Sequence, residues 1–158
     1  DNMKRIIIAL MLCIICSLRS LALPTSIFEH YADYDEVTVV CISKAMFKLM
    51  PDMNAKANGM DIGALASKLD RIEILTCEKK GMIPELKFHS EKMLKEGKYE
   101  NLMRVNDSGE KVDIFMSGPH NGVNSYFIRT IGKNEFNLIV ITGTITPEDV
   151  MGMYRKSK

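Results

Sequence analysis

The sequence has no tryptophan, few cysteines and nearly balanced charge, and these absences exclude several classes of protein. Among 158 residues, 4 Cys and 10 Gly are too few for a disulfide scaffold or a collagen-like chain. A hydrophobic content of 46% argues against disorder. The net charge is only +1, and no basic cluster is interleaved with aromatic residues, which argues against a nucleic-acid binder. What remains is a globular chain of one-domain length.

The longest uncharged apolar run lies near the start of the sequence and is too short to cross a membrane. It covers residues 6–18, whereas a membrane-spanning helix needs about 20 apolar residues. The basic pair Lys4-Arg5 follows Met3 and precedes this run, and Ser20-Leu21-Ala22 provides a small-x-small cleavage pattern. We therefore predict a signal peptide that is cleaved after Ala22.

Cleavage would remove residues 1–22 and leave residues 23–158 as a single mature domain. The removed segment carries three basic residues and one acidic residue, so the net charge changes from +1 to −1. Cys13 and Cys16 lie in the removed segment, but each follows a large apolar residue rather than the small residue that lipid attachment requires. The sequence therefore favours a simple signal peptide over a lipoprotein anchor.

Hydrophobic periodicity in the mature region predicts the order strand, helix, helix, strand, helix, four strands, helix. Strands that follow one another, rather than alternate with helices, favour an α+β fold. We expect a largely antiparallel sheet of about six strands, with helices packed on one face. The predicted strands are Val37–Ile42, which is apolar on both faces as a central strand would be, Arg71–Cys77 and a four-stranded meander between Tyr99 and Gly143.

Helices are predicted to begin after the caps Ser43, Asp61 and Thr146, and the longest helix is predicted to have Pro84 in its first turn and to end at Gly97. Residues 51–60 are expected to form a polar loop. Residues 23–35 are expected to dock by the aromatic rings of Phe28, Tyr31 and Tyr34.

The two cysteines of the mature region lie in the first two predicted strands. Cys41 and Cys77 could form a disulfide if these strands are neighbours in a suitable register. Buried free thiols are the commoner outcome for cysteines in apolar strands, and we expect free thiols here. Neither cysteine has a CxxC partner or a nearby histidine, so neither is predicted to be a nucleophile or a zinc ligand.

The histidines and methionines offer no local motif for chemistry. His30, His89 and His120 lack an HExxH arrangement, and we interpret each of them as structural. Met46, Met50 and Met53 share one helical face, which fits core packing better than a Cu(I) site because no Cys or His joins them. We therefore assign no catalytic residue, no cofactor-binding residue, no metal ligand and no cofactor.

The strand, helix and turn pattern over residues 37–154 resembles the domain of unknown function 4252, a family of small secreted proteins of Bacteroidetes. The resemblance rests on four segments: Cys41-Ile-Ser-Lys-Ala-Met46, Leu69-Asp-Arg-Ile-Glu-Ile74, Lys111-Val-Asp-Ile-Phe-Met116 and Leu138-Ile-Val-Ile-Thr-Gly143. It implies an exported protein of the periplasm or the outer membrane of a Gram-negative bacterium. The family supplies no catalytic residues to carry over.

These observations favour a non-enzymatic domain that binds an envelope protein or another envelope component. Its mature chain is expected to have no transmembrane span and no nucleic-acid partner. Two alternatives stay open. The methionine and aromatic content would suit a binding protein for a small apolar ligand. A hydrolase whose catalytic residues come from distant positions would leave no local motif.

The signal-peptide interpretation predicts where the mature protein begins. Expressed in a Gram-negative host and recovered from the periplasm or envelope, the chain should start at or near Leu23, as intact mass spectrometry would show. Recovery of a chain that still carries residues 3–22 would contradict export.

Overall fold

Helices and strands are mixed in the first half of the chain, and strands follow one another in the second half. The computed structural model describes residues 26–49, 56–57, 60–61 and 63–149. Two three-ten helices cover Gly63–Lys68 and Lys80–Met82. In chain order the other elements are α1 (Ile27–Tyr31), β1 (Val37–Ser43), α2 (Lys44–Leu49), β2 (Lys56–Ala57), β3 (Met60–Asp61), β4 (Leu69–Cys77), α3 (Ile83–Glu96), β5 (Glu100–Asp107), β6 (Glu110–His120), β7 (Val123–Ile131) and β8 (Phe136–Gly143).

Six of these strands form one antiparallel sheet in the order β1-β4-β8-β7-β6-β5. Strands β5 to β8 are the predicted meander, and β8 lies inside the sheet, as its run of apolar residues on both faces indicates. The short strands β2 and β3 pair separately, within and just after a segment that was expected to be a polar loop. The predicted α+β fold class is therefore confirmed.

The first strand lies at the edge of the sheet, whereas its apolar character predicts a central position. Among the described strands β1 pairs with β4 alone, and Val40 is 40% exposed. Both faces of β1 are apolar because a hydrophobic cluster packs against each face of the sheet. Val37 contributes to the core on one face, and Ile42 packs against a second cluster on the other.

Two hydrophobic clusters lie on opposite faces of the sheet, as the alternation along each strand shows. On β7, Phe127 belongs to the larger cluster and its neighbour Tyr126 belongs to the smaller one. The larger cluster includes the buried faces of α1 and α3, and the smaller one includes Phe47 of α2. Helices α1 and α3 therefore share one face and the short α2 packs on the other, so the prediction that the helices lie on one face holds only in part.

Local helix predictions succeeded where caps are strong and failed where strand pairing competes. Helix α3 has Pro84 in its first turn and Gly97 at its C-cap, as predicted. Thr146 accepts a hydrogen bond from the backbone of Asp149, which confirms the predicted cap. The predicted helix after Asp61 is instead a three-ten helix, because Leu69 begins β4 and takes part in the ladder with β8.

Three further expectations concern Ser43 and the methionines. Ser43 is the last residue of β1 and directly precedes α2, and its role as a cap stays a prediction. Met46 is 47% exposed, so its expected place in the core is wrong; the buried contact of α2 comes from Phe47. Met50 and Met53, and the part of the last helix after Asp149, lie outside the described residues.

None of the helices in the described ranges has the length and apolar content that crossing a membrane requires.

The two cysteines are free thiols, as predicted, because the register of their strands keeps them apart. Cys41 lies opposite Glu73, and Cys77 lies opposite Val37. Four residues of strand separate the two positions, which is roughly 13 Å at about 3.3 Å per residue and too far for a disulfide. Cys41 is exposed and Cys77 is buried.

A buried ion pair joins the sheet to α3. The carboxylate of Asp113 is fully buried and accepts hydrogen bonds from Arg129 Nη2 at 3.0 Å and Arg104 Nε at 2.6 Å. Arg129 is 3% exposed, and its Nη1 donates to Ser90 Oγ on α3 at 2.9 Å. Burial raises the pKa of Asp113, but the hydrogen bonds from Arg104 and Arg129 outweigh it and hold that pKa below its ordinary value.

Removing this carboxylate should destabilise the fold strongly. Asp113→Ala would leave the buried Arg129 without its counterion, which costs about 3–5 kcal/mol of unfolding free energy in comparable cases. Glu110→Ala, at the exposed start of the same strand, is the matched control and should stay within about 0.5 kcal/mol of wild type. Denaturant unfolding at neutral pH measures both.

The pH dependence of the same pair of proteins provides an independent readout. Because the folded-state pKa of Asp113 lies below its ordinary value of 3.8, the ion pair contributes fully above that pH. Its contribution is lost as the pH falls below 3.8 toward the folded-state pKa. The difference in unfolding free energy between wild type and Asp113→Ala should therefore shrink in acid; a difference that does not change with pH would contradict this assignment.

Candidate functional site

Helix α1 brings a histidine to the side of α3. Ser26 Oγ caps α1 by accepting from the backbone N–H of Glu29 at 3.3 Å. Ile27, Phe28 and Tyr31 form the buried face of α1, so the predicted docking by Phe28 and Tyr31 is confirmed, whereas Tyr34 is 41% exposed. His30 lies beside this buried face and is exposed. Its ring centroid is 5.4 Å from that of His89 on α3.

Helix α3 carries a carboxylate and an imidazole one turn apart. Its buried residues are Ile83, Leu86, Ser90 and Leu94, which fix the face that packs on the sheet. Glu85 and His89 have i, i+4 spacing and therefore lie next to each other along the helix. Glu85 is exposed and His89 is half-buried, so these two side chains lie beside the packed face and next to α1.

The hydroxyl of Tyr31 connects the two helices. The Tyr31 side chain is fully buried, and its hydroxyl donates to Glu85 Oε1 at 2.9 Å. The same hydroxyl lies 2.9 Å from His89 Nδ1. Burial, followed by the hydrogen bond to Glu85, raises the pKa of Tyr31 above its ordinary value, so this hydroxyl keeps its proton.

This arrangement determines which nitrogen of His89 carries the proton. An ionised carboxylate can only accept, so the single hydroxyl proton of Tyr31 is directed to Glu85. The contact between the Tyr31 oxygen and His89 is then satisfied by a proton on Nδ1. In the neutral imidazole this leaves the lone pair on Nε2 free. Tyr31 therefore holds the His89 ring with Nε2 available to accept a hydrogen bond or to bind a metal.

The cluster has the composition and size of a small cation site. One potential ligand atom from each of His30, Glu85 and His89 lies within 4.8 Å of the other two. Two imidazoles and one carboxylate can bind a divalent metal, exchange protons or hydrogen-bond to a polar ligand. No motif in the sequence predicts these roles, because His30 and His89 are far apart in the chain.

An open cavity of about 490 Å³ adjoins the cluster between α1 and the second half of α3. His30 and His89 line one part of it, so the imidazoles face the space that a ligand would occupy. Ile27, Met93 and Tyr99 add apolar surface, and Lys92 and Glu96 add charge. Its volume lies within the range of about 300–1,000 Å³ that is typical of small-molecule sites. We refer to this cavity as the α1–α3 cleft.

The third histidine lies elsewhere. His120 Nε2 is 3.4 Å from Ser117 Oγ, near the turn between β6 and β7, and the Ser117 hydroxyl donates to the backbone carbonyl of Gly97 at 2.6 Å. This fits the structural role predicted for His120.

The hydrolase alternative requires a histidine near a carboxylate in a cleft. His89 meets that condition only indirectly, because the Tyr31 hydroxyl lies between it and Glu85.

Sequence reasoning missed Glu85 and Tyr31 as site residues. One available signal was the Glu85-x-x-x-His89 spacing on a helix that the sequence predicts well. Another was the proximity of His30 to Tyr31 in a segment predicted to dock by its aromatic residues. Neither signal specifies that these two segments meet.

A second surface of interest is the free edge of the sheet at β5. Every residue of this strand is exposed, and β6 is its partner in the described sheet. Three apolar side chains of β5 are 41–50% exposed, namely Leu102, Met103 and Val105. Exposed backbone donors and acceptors with apolar neighbours are typical of strands that pair with another chain.

Comparison with known proteins identifies a family and no individual relative. The sequence model of the family described as Domain of unknown function (DUF4252) matches residues 31–153. No curated protein and no solved structure matches the chain. The match begins at Tyr31 and includes Glu85 and His89, whereas His30 lies just before it.

Proposed function

Because the chain belongs to the DUF4252 family, whose description assigns no activity, we propose a function from the geometry of its site. The protein is an exported, non-enzymatic binding domain of the cell envelope, and it takes up a small ligand in the α1–α3 cleft. The observation that carries this proposal is the cavity of about 490 Å³, which is lined by His30 and His89, the two histidines of the cluster that Glu85 completes.

Export is supported by the sequence alone. The basic pair after Met3, the short apolar run and the small-x-small pattern at Ala22 are the three parts of a secretory signal. The resemblance to secreted proteins agrees with this, and together they support the periplasm or outer membrane of a Gram-negative bacterium as the location.

The chemistry of the cleft suits a ligand with an apolar body and one polar end. Ile27, Met93 and Tyr99 supply apolar contacts, while the two histidines supply directional polar groups. Tyr99 is held in place by a hydrogen bond of 2.7 Å between its hydroxyl and Ser125 Oγ, and its ring packs 5.5 Å from that of Phe127. An apolar wall with few polar groups is the usual composition of a small-molecule site.

An envelope protein is a second candidate for the partner, and the exposed edge at β5 favours it. A partner strand could extend the sheet there through backbone hydrogen bonds, with Leu102, Met103 and Val105 providing apolar contact. The two candidates use different surfaces, so one protein can have both functions.

Binding in the cleft can be tested with an apolar fluorescent probe. In the presence of a chelator, 1-anilinonaphthalene-8-sulfonate should bind the wild-type chain saturably. Met93→Glu should weaken binding about tenfold or more, because it places a negative charge on the apolar wall. Lys95→Glu, on the same helix but outside the lining, is the matched control and should bind as wild type does. Equal affinities of Met93→Glu and wild type would argue against a ligand site in the cleft.

Partner binding at the edge can be tested in envelope fractions. If β5 pairs with another protein, chemical crosslinking should capture a stoichiometric partner with wild type and much less of it with Val105→Lys, since a charge on an edge strand opposes pairing. Thr38→Lys, on the opposite edge strand β1, is the control. A partner captured equally by Val105→Lys, or none at all, would exclude this edge as the interface.

A further inference from the structure

We propose that His30, Glu85 and His89 form a binding site for a divalent metal ion of the zinc type at the margin of the α1–α3 cleft. This site would extend the proposed function, because a ligand in the cleft could complete the coordination of the metal. Only that last step rests on the proposed function. The inference stands on the juxtaposition of two imidazoles and one carboxylate from helices that are distant in the chain.

The donor set selects the class of metal. Imidazole nitrogen suits Zn²⁺ and its neighbours among the transition metals, whereas Mg²⁺ and Ca²⁺ prefer oxygen ligands alone. Two histidines and one glutamate are also the protein ligands of well-known open zinc sites, which leave a position for water or a ligand. A ligand in the cleft could complete the coordination here, because His30 and His89 both line the cleft.

The spacing is close to that of a bound site without matching it. Tetrahedral zinc with ligand bonds of 2.0–2.1 Å places its ligand atoms about 3.4 Å apart. The ligand atoms of the three groups lie within 4.8 Å of one another, so metal binding requires the most distant pair to approach by up to about 1.4 Å. Side-chain rotation can supply this, since His30 and Glu85 are exposed.

Tyr31 acts as a positioning residue for this site. Ligating histidines usually donate their other ring N–H to an oxygen, which fixes the ring and its tautomer. The contact between the Tyr31 hydroxyl and His89 Nδ1, at 2.9 Å, provides that arrangement before any metal binds. Because Tyr31 also donates to Glu85, one buried hydroxyl orients two of the three ligands.

The same contacts would exist if the cluster only joined α1 to α3, so metal binding has to be measured directly. The reference protein is the full chain with serine at Cys13, Cys16 and Cys41, which removes thiols that could bind zinc. Zinc uptake is followed by competition with a chromophoric chelator, and coordination by the visible absorption of Co²⁺. We expect one equivalent of Zn²⁺, tetrahedral Co²⁺ absorption and no competition by Mg²⁺.

Variants assign the ligands. His30→Gln, Glu85→Gln and His89→Gln should each weaken zinc binding by at least about tenfold, and Tyr31→Phe should weaken it about 10–100-fold through loss of ring orientation. His120→Gln is the matched control and should bind as the reference does. His30 is exposed, so its variant should keep the melting temperature of the metal-free protein and decides the test if another variant is less stable.

Two results would overturn the metal site. One is the absence of saturable zinc binding by the reference protein. The other is unchanged affinity and stoichiometry in His30→Gln and His89→Gln, which would place the zinc elsewhere. The probe titration in the cleft is carried out with chelator present, so it reports on the cleft independently. If the probe still binds but zinc does not, the metal site is refuted and the proposed function of the cleft is unaffected.

Discussion

Asp113 and Arg129 form an ion pair inside the protein, and the position of α3 on the sheet depends on it. Taking two charges out of water costs several kcal/mol for each ion, so the pair is tolerable only when its hydrogen bonds are made. One of those bonds crosses to α3, from Arg129 Nη1 to Ser90 Oγ. Ser90 in turn donates to the carbonyl of Lys87 at 2.8 Å. Because a hydrogen bond is directional, this acceptor ties Ser90 on α3 to one position over β7.

That position of Ser90 places the candidate site. His89 immediately precedes Ser90, and Glu85 lies one turn before His89, so fixing Ser90 fixes the direction of these two side chains. The buried Tyr31 then bonds to Glu85 and contacts His89, and His30 follows from the position of α1. The cleft lies between these two helices, with Met93 and Tyr99 on its wall. A polar constraint in the core thus determines the geometry of a site at the surface.

The sequence predicted elements whose signals are local, and it missed features that depend on which elements meet. Gly97, Pro84 and the polar turns gave α3 and the meander their correct ends because caps and turns act within a few residues. The edge position of β1 was missed, since apolar residues on both faces occur wherever both faces of a sheet are packed. In the sequence, Asp113 and Arg129 look like exposed charges of alternating strands. That they lie opposite each other becomes clear only once the pairing of β6 with β7 is known. For the same reason no pattern joined His30 to Glu85 and His89.

The link between Arg129 and Ser90 holds α3 in the position that creates the site. Native-state hydrogen exchange of an Arg129→Met variant tests it most directly, because the replacement keeps an apolar stem and leaves Asp113 with Arg104 and Lys111 as counterions. We expect faster exchange of the α3 amides relative to those of β4 and β8, which lie inside the sheet. Wild-type exchange rates in α3, or equal acceleration throughout the described part of the chain, would contradict it.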